Sequence, residues 1–556
     1  MLLLLNDATA VEDAQRAIDE LLGVHSEWFL AQDGGAPLAI ACTEFNFSID
    51  HRRLIFSSWT ETGFRSWRIT AWSWSGERLV LEASRRMGAE KSTLELVPRA
   101  SARAIVAGIA AARQARCVKL AQIANEAPLN FKIEGVALSP GMRRDQPGRY
   151  ARIILRQPHK RLALTAIVAN SDARNVDSLF SSALLWFNRL QSRPKRPPIE
   201  KLLISVEPNI LEAVRQRHVL LRESLRQRIE LFEIRGGSPT NQGTQADGAV
   251  VDGRNAQPEI RGSSPTVREG VRLSADETWQ VLEPARPWER KHLWRKRLKQ
   301  FPAIVAHETI ERVKEIIALQ PQAIDVVSSR HGQTLRYHGL PFARVRRVMA
   351  RDRIWFGIEG SRRRLLDDYH EPDWIKLWED LKNHRNGDCR DKSHWFYRAA
   401  GEAWLESILR RDISKLDPGL IIAPLHAQFR TSHGGTNGPS GARPIDLLAL
   451  RHDGRLAVIE LKVNEDREHV FQGIDYWRRV EAHRRRGHIS TAKLFGEREI
   501  SDESPLVYLV APTLRFHPSF TTLARTIAPD IEVYRFDINE DWRGGVRVVR
   551  RERVNA

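Results

Sequence analysis

The sequence predicts a mixed α/β chain of the α+β kind. A three-layer domain is expected in the C-terminal half and a degenerate copy of it in the N-terminal half. Three observations lead there. Apolar strand-like runs and amphipathic helical runs follow one another in the order β-β-α-β-α-β twice. Segments rich in β-branched and aromatic residues precede each series. A stretch almost free of large apolar residues, Arg235 to Ser264, lies between the halves and predicts a disordered linker. At 556 residues the chain exceeds one ordinary core, and 42% hydrophobic with 28% charged residues suits a globular, soluble protein.

The elements follow in order. Ala8 to Gly23 predicts an amphipathic helix. "RLIFSSW", "SWRITAWSW" and "RLVLEA", between Ala39 and Val97, predict strands. Arg99 to Glu126 is an alanine-rich helical run. "ARIILRQPHK" and "RLALTAIVAN" (Arg161 to Asn170) predict a strand pair, followed by a helix carrying Trp186. After the stiff turn "SRPKRPP" come the strands "KLLISVEP" and "IELFEI", with a helix between. Beyond the linker, Ala306 to Leu319 predicts a helix and "TLRYHGLPFARVRRVMARDRIWFGIEG" predicts strands. Trp374 to Asn383 and Tyr397 to Asp412 predict helices. "IDLLALRHDG" and "RLAVIELKVN" (Arg455 to Asn464) form the second pair, then a helix with Trp477, "PLVYLVAP", another helix and "IEVYRF". This divides the chain into a strand-rich segment 1–98, a degenerate domain 99–234, a linker 235–264, an accessory domain 265–394 and a C-terminal domain 395–556.

The two copies differ in charge. On a gapless match of "RLALTAIVAN" with "RLAVIELKVN", Glu460 falls opposite Ala166, Lys462 opposite Val168 and Asp446 opposite Arg152. The apolar framework is kept, so strand formation does not explain the charges. Side chains in a strand alternate faces, which puts Glu460 and Lys462 together in an otherwise apolar run. That pairing is costly unless a cation or an anionic substrate compensates it. The turn at His452-Asp453-Gly454 brings Asp446 beside Glu460. Two carboxylates and the Leu461 carbonyl make a hard oxygen set suited to Mg2+ or Mn2+. Lys462 is then available to orient a water or stabilise charge in a transition state.

Pro444-Ile445-Asp446 followed by Glu460-Leu461-Lys462 resembles the PD-(D/E)XK nuclease superfamily, over about Trp395 to Tyr534. The first motif reads Pro-Ile-Asp where the family pattern is Pro-Asp. The resemblance implies a restriction-endonuclease-like fold and metal-dependent hydrolysis of phosphodiesters by Asp446, Glu460 and Lys462. It also implies a metal-side Glu on the preceding helix, Glu402, with Glu406 as alternate one turn on. Gln472 and Tyr476 resemble the Gln-x-x-x-Tyr element of RecB-type nuclease domains, which stands near the active site and the DNA backbone.

A net charge of +18 points to a polyanionic partner, nucleic acid, with DNA expected. Arg478, Arg479 and Arg484 to Arg486 suit either a DNA-facing or a solvated face. His433, in the glycine-rich loop before Asp446, is expected to be solvated, and "GGTNG" lacks the Gly-Lys-Ser/Thr of a P-loop. The sixteen tryptophans are expected in the core. Cys42, Cys117 and Cys389 lack metal spacing and suit a reducing cytoplasm. The acidic Asp7, Glu12 and Asp13 after the first leucines predict no secretory signal, and no apolar run reaches membrane-spanning length. A non-catalytic nucleic-acid-binding scaffold and an RNA-cleaving nuclease are the alternative readings. A protein partner or homodimer is a further expectation.

Overall fold

The computed structural model describes residues 3–556 apart from 6–7, 26, 33–37, 42–43, 61–62, 76–77, 86–89, 99–101, 127–130, 142–146, 158, 170–175, 193–197, 237–278, 296–297, 299, 302–307, 330–331, 349–350, 359–363 and 430–443. The described residues form four sheets joined by helices, a mixed α/β architecture. None of their helices is long and apolar enough to cross a membrane.

Leu3–Leu4 and the seven strands between Glu27 and Pro98 form an eight-stranded sheet. Helix Ala8–Leu22 covers it. Val11, Ala14, Ile18 and Leu22, spaced for one helical face, pack into the core with Trp28, Phe56 and Trp67. Strands between Ile324 and Leu365 form a five-stranded antiparallel sheet, flanked by helices Glu311–Leu319 and Glu371–His384.

The other two sheets position the site. In the first half, helix α1 (Ala102–Glu126) precedes β1 (Lys132–Pro140), β2 (Pro147–Arg156) and β3 (Arg161–Ile167), then α2 (Val176–Gln191). β4 (Lys201–Val206), α3 (Pro208–His218), β5 (Ile229–Gly236) and β6 (Trp279–Pro284) complete it. In the second half, α4 (Gly401–Arg411) precedes β7 (His426–Phe429), β8 (Ile445–Leu450) and β9 (Leu456–Leu461), then α5 (His469–Arg484). β10 (Leu506–Pro512), α6 (Phe520–Ala524), β11 (Val533–Ile538) and β12 (Val548–Arg553) follow. Each sheet runs in sequence order. In each, two antiparallel pairings are followed by two parallel pairings and a final antiparallel one. The parallel strands are covered on both faces, which is why β3, β9 and β10 are buried throughout and mostly apolar rather than alternating.

Four expectations change. β6 pairs with β5, so 279–284 belongs to the first sheet and not to the accessory segment expected from 265. Arg235 and Gly236, expected in the linker, end β5, and most of that stretch lies outside the described residues. The helix expected over 397–412 is divided. A short helix, Trp395–Arg398, is separated from α4 by Ala400, whose positive φ of 46° breaks the helical path.

The fourth change concerns the match between copies. Arg156 pairs with Arg161 in the first hairpin, whereas Leu450 pairs with Leu456 in the second, whose loop is one residue longer. The gapless match therefore slips by one, and in a strand one residue reverses the face. Ala166 and Val168 face α1, whereas Ala163 and Ile167 share the α2 core as Val458 shares the α5 core. The counterparts of Glu460 and Lys462 are Thr165 and Ile167, and Asp446 still corresponds to Arg152.

The halves share one core. Phe180 of α2 meets Phe471 of α5 with ring centroids 5.7 Å apart. Buried Arg217 of α3 bridges Asp177 at 2.9 Å and Asp475 of α5 at 2.8 Å. Main-chain bonds from Arg222 to Thr526 and from Ala528 to Leu220 join the loops after α3 and α6. Packing against both its own sheet and α2 explains why α5 is buried on nearly every side.

Candidate active site

The site stands where β8 and β9 meet α4 and α5. The register of β8 with β9 pairs Leu447 with Ile459, and one step outward Asp446 lies opposite Glu460. Both project to the α5 side. Asp446 Oδ2 accepts the Leu461 backbone N–H at 2.9 Å. An extended residue turns its N–H and C=O to the same edge, so the Leu461 carbonyl also lies on the Asp446 side. Lys462 Nζ donates to Glu460 Oε1 at 2.7 Å, and lies 3.8 Å from Glu402 Oε1 and 3.9 Å from Asp466 Oδ2. Glu460 is 1% and Lys462 8% exposed.

Burial sets the electrostatics. It raises the Glu460 carboxyl to about 8, helped by the Asp446 charge and opposed by Lys462. It raises Asp446 to about 6, with Lys462 and the Leu461 N–H pulling the other way. Burial disfavours the Lys462 charge, but Glu460, Glu402 and Asp446 outweigh it and hold the ammonium well above the ordinary lysine range. Glu460 Oε2 is buried and receives no hydrogen bond among the described residues.

Gln472 and Tyr476, one turn apart on α5, border the same space. Gln472 Nε2 reaches Asp466 Oδ2 and Glu468 Oε2 at 3.5 and 3.4 Å, the long end of hydrogen bonding. Burial, then the Glu460 charge, pushes the Tyr476 hydroxyl up, and its ring lies 4.5 Å from the Arg479 guanidinium. The sequence-predicted Asp446, Glu460, Lys462, Glu402, Gln472 and Tyr476 thus converge. Glu402 is half exposed at the start of α4, whereas Glu406 is buried. Gly401 lets that end of α4 approach β9, because a Cβ there would stand 2.9 Å from Val463 Cγ2.

Two residues of the site were not singled out from sequence. Asp466 completes the ring of carboxylates around Lys462, and its spacing of four from the lysine was the available signal. His469 opens α5 with Nε2 3.3 Å from the Glu460 carbonyl. Burial, then Lys462, pushes its pKa to about 3, so it is neutral and donates there. Of the arginines on and just after α5, Arg485 is exposed, as a solvated face requires, while the others are mostly turned inward. Arg478 and Arg479 pair with Asp475, Arg484 and Arg485 with buried Glu481, and Arg486 donates to carbonyls. His433 lies outside the described residues.

Among the described residues no three His, Cys, Asp or Glu side chains converge as a ready cage. Glu402, expected on the metal, has its carboxylate turned to Lys462. The pair Asp446 and Glu460 remains, with an unsatisfied buried oxygen and the Leu461 carbonyl edge. Mg2+ commonly binds through one or two carboxylates and keeps several waters, so the residues present fit it. No protein-family model, curated protein or solved structure matches the chain.

Proposed function

We propose that the C-terminal half is a metal-dependent nuclease of restriction-endonuclease-like fold, hydrolysing phosphodiester bonds in DNA. The convergence of Asp446, Glu460 and Lys462 inside an apolar sheet end carries this reading. Two adjacent buried carboxylates with raised pKa values are unfavourable without a cation, and structural packing gives no reason to keep them. Asp446, Glu460 and the Leu461 carbonyl would hold Mg2+ or Mn2+. When bound, the cation supplies a water of lowered pKa and offsets phosphate charge.

The chain's own residues do the rest. Lys462, kept protonated by Glu460 and Glu402, offers hydrogen bonds to the attacking water and to charge developing on phosphate oxygens. The neutral His469 steadies the strand carbonyl beside Glu460. Gln472 and Tyr476 line the approach to the scissile bond. The N-terminal copy, with Arg152, Thr165 and Ile167 at the corresponding positions, is non-catalytic.

The test is cleavage of circular and linear, single- and double-stranded DNA in Mg2+ or Mn2+, with labelled RNA alongside. Wild type is compared with Lys462→Ala and Asp446→Ala. Cutting by wild type alone supports the reading. Binding of every substrate without cleavage in either metal sinks it, in favour of a scaffold.

A further inference from the structure

The non-catalytic counterpart of the site carries its own charge. Arg152 occupies on β2 the register position that Asp446 holds on β8, opposite Thr165 as Asp446 is opposite Glu460. Its guanidinium lies 5.6 Å from the centroid of the Trp186 ring on α2. Arg189, at the exposed end of α2, and Arg467, exposed in the loop between β9 and α5, act on it electrostatically. Burial, then these two charges, lowers the Arg152 pKa to about 10. Among the described residues no carboxylate forms an ion pair with any of the three arginines. Like charges gathered this way are unfavourable until an anion joins them.

The cluster touches the catalytic end. Arg467 follows Asp466, whose carboxylate is 3.9 Å from Lys462, and the Arg467 carbonyl accepts the Ser181 hydroxyl of α2 at 3.2 Å. Arg467 thus lies in the loop next to the Lys462 ring of carboxylates, and that loop is bonded to α2, the helix that carries Trp186 and Arg189. Trp186 is nearly buried, so it supports a guanidinium rather than stacking a base. A planar guanidinium fork recognises phosphate oxygens without regard to base sequence.

We infer that charge reversal has turned the counterpart site into a phosphate-binding cluster of Arg152, Arg189 and Arg467, which grips the phosphodiester backbone of DNA engaged at Lys462. The identity of the ligand rests on the nuclease reading. The cluster makes the N-terminal copy a substrate clamp for its twin.

The test is binding of a labelled DNA oligonucleotide by fluorescence anisotropy, on the full chain in EDTA, over a salt series. Arg189→Glu with Arg467→Glu alters exposed side chains only, and Arg152→Gln is the buried arm. We expect the exposed double variant to bind at least tenfold more weakly. Its plot of log affinity against log salt should flatten by about 0.7 to 0.9 for each phosphate no longer gripped. Wild-type affinity and slope in both variants overturn the inference. The two readings fail separately. If wild type cuts DNA in Mg2+ while the arginine variants bind normally, the clamp is wrong and the nuclease stands. If wild type never cuts while the variants lose salt-dependent binding, the clamp stands and the nuclease is wrong.

Discussion

Replacing Glu460 by Gln probes the buried carboxylate pair directly. Without a cation, burial and the Asp446 charge raise Glu460 from 4.5 to about 8, while Asp446 rises from 3.8 to about 6. The pair therefore titrates as a unit and retains about one proton at neutral pH. At about 1.4 kcal/mol per tenfold in proton affinity, ionising Glu460 inside the fold costs at most about 5 kcal/mol. The sign follows from linkage. A carboxyl raised in the fold contributes its full stability below the unfolded value of 4.5 and loses it as pH rises through about 8. Glu460→Gln has no such proton to lose. In EDTA, wild type should lose stability relative to Glu460→Gln between about pH 5 and about pH 9, by several kcal/mol. Urea unfolding of both proteins across that window measures the difference. Mg2+ binding to wild type should release about one proton at neutral pH, read calorimetrically in buffers of different ionisation heat. The variant should bind more weakly with little release. Parallel stability profiles, or proton-neutral binding by wild type, would refute the shared-proton account.

Lys462→Met should lower the cleavage rate at least about 100-fold. It should also cost about 3–5 kcal/mol in EDTA by leaving buried carboxylates without their cation, a loss that adding Glu460→Gln partly reverses in unfolding measurements. Arg217→Ala leaves Asp177 without its cation and breaks the bridge to Asp475, which keeps Arg478 and Arg479, at the junction of the halves, and should cost about 3 kcal/mol. Calorimetry should then show two transitions where wild type shows them merged; a single unshifted transition counts against a shared core. Buried Arg385 donates to the carbonyls of Tyr337, His338, Phe396 and Ala399, tying the five-stranded sheet to the segment before α4. A lysine cannot span those carbonyls, so Arg385→Lys should destabilise by about 2–3 kcal/mol in denaturant unfolding, and an unchanged midpoint would show that the fork is dispensable.

Much of the site was legible because strand periodicity is short. Glu460 and Lys462 stand out two apart in an apolar run, and a tight hairpin brings Asp446 alongside them whatever the remainder of the chain does. Resemblance added Glu402, Gln472 and Tyr476, and helical spacing was enough to set the last two on one face. Periodicity also hid an error. The shared Arg-Leu-Ala of the two copies suggested a gapless match, yet one extra residue in the second hairpin reverses every side chain.

What sequence by itself determined is local: which segments are strands or helices, and which charged groups their packing cannot explain. Tertiary structure decided the partners. β6 joins β5 across a long stretch of chain, Arg478 and Arg479 turn inward to Asp475, and Arg217 reaches from one half to the other. The first and last of these depend on contacts between residues distant in sequence, where no local propensity or period carries a signal; the Asp475 pairs lie at helical spacing, but burial of that face against the other half was not legible. The same holds for the meeting of Arg467 with α2, which brings the charge-reversed copy against the one that carries Asp446, Glu460 and Lys462.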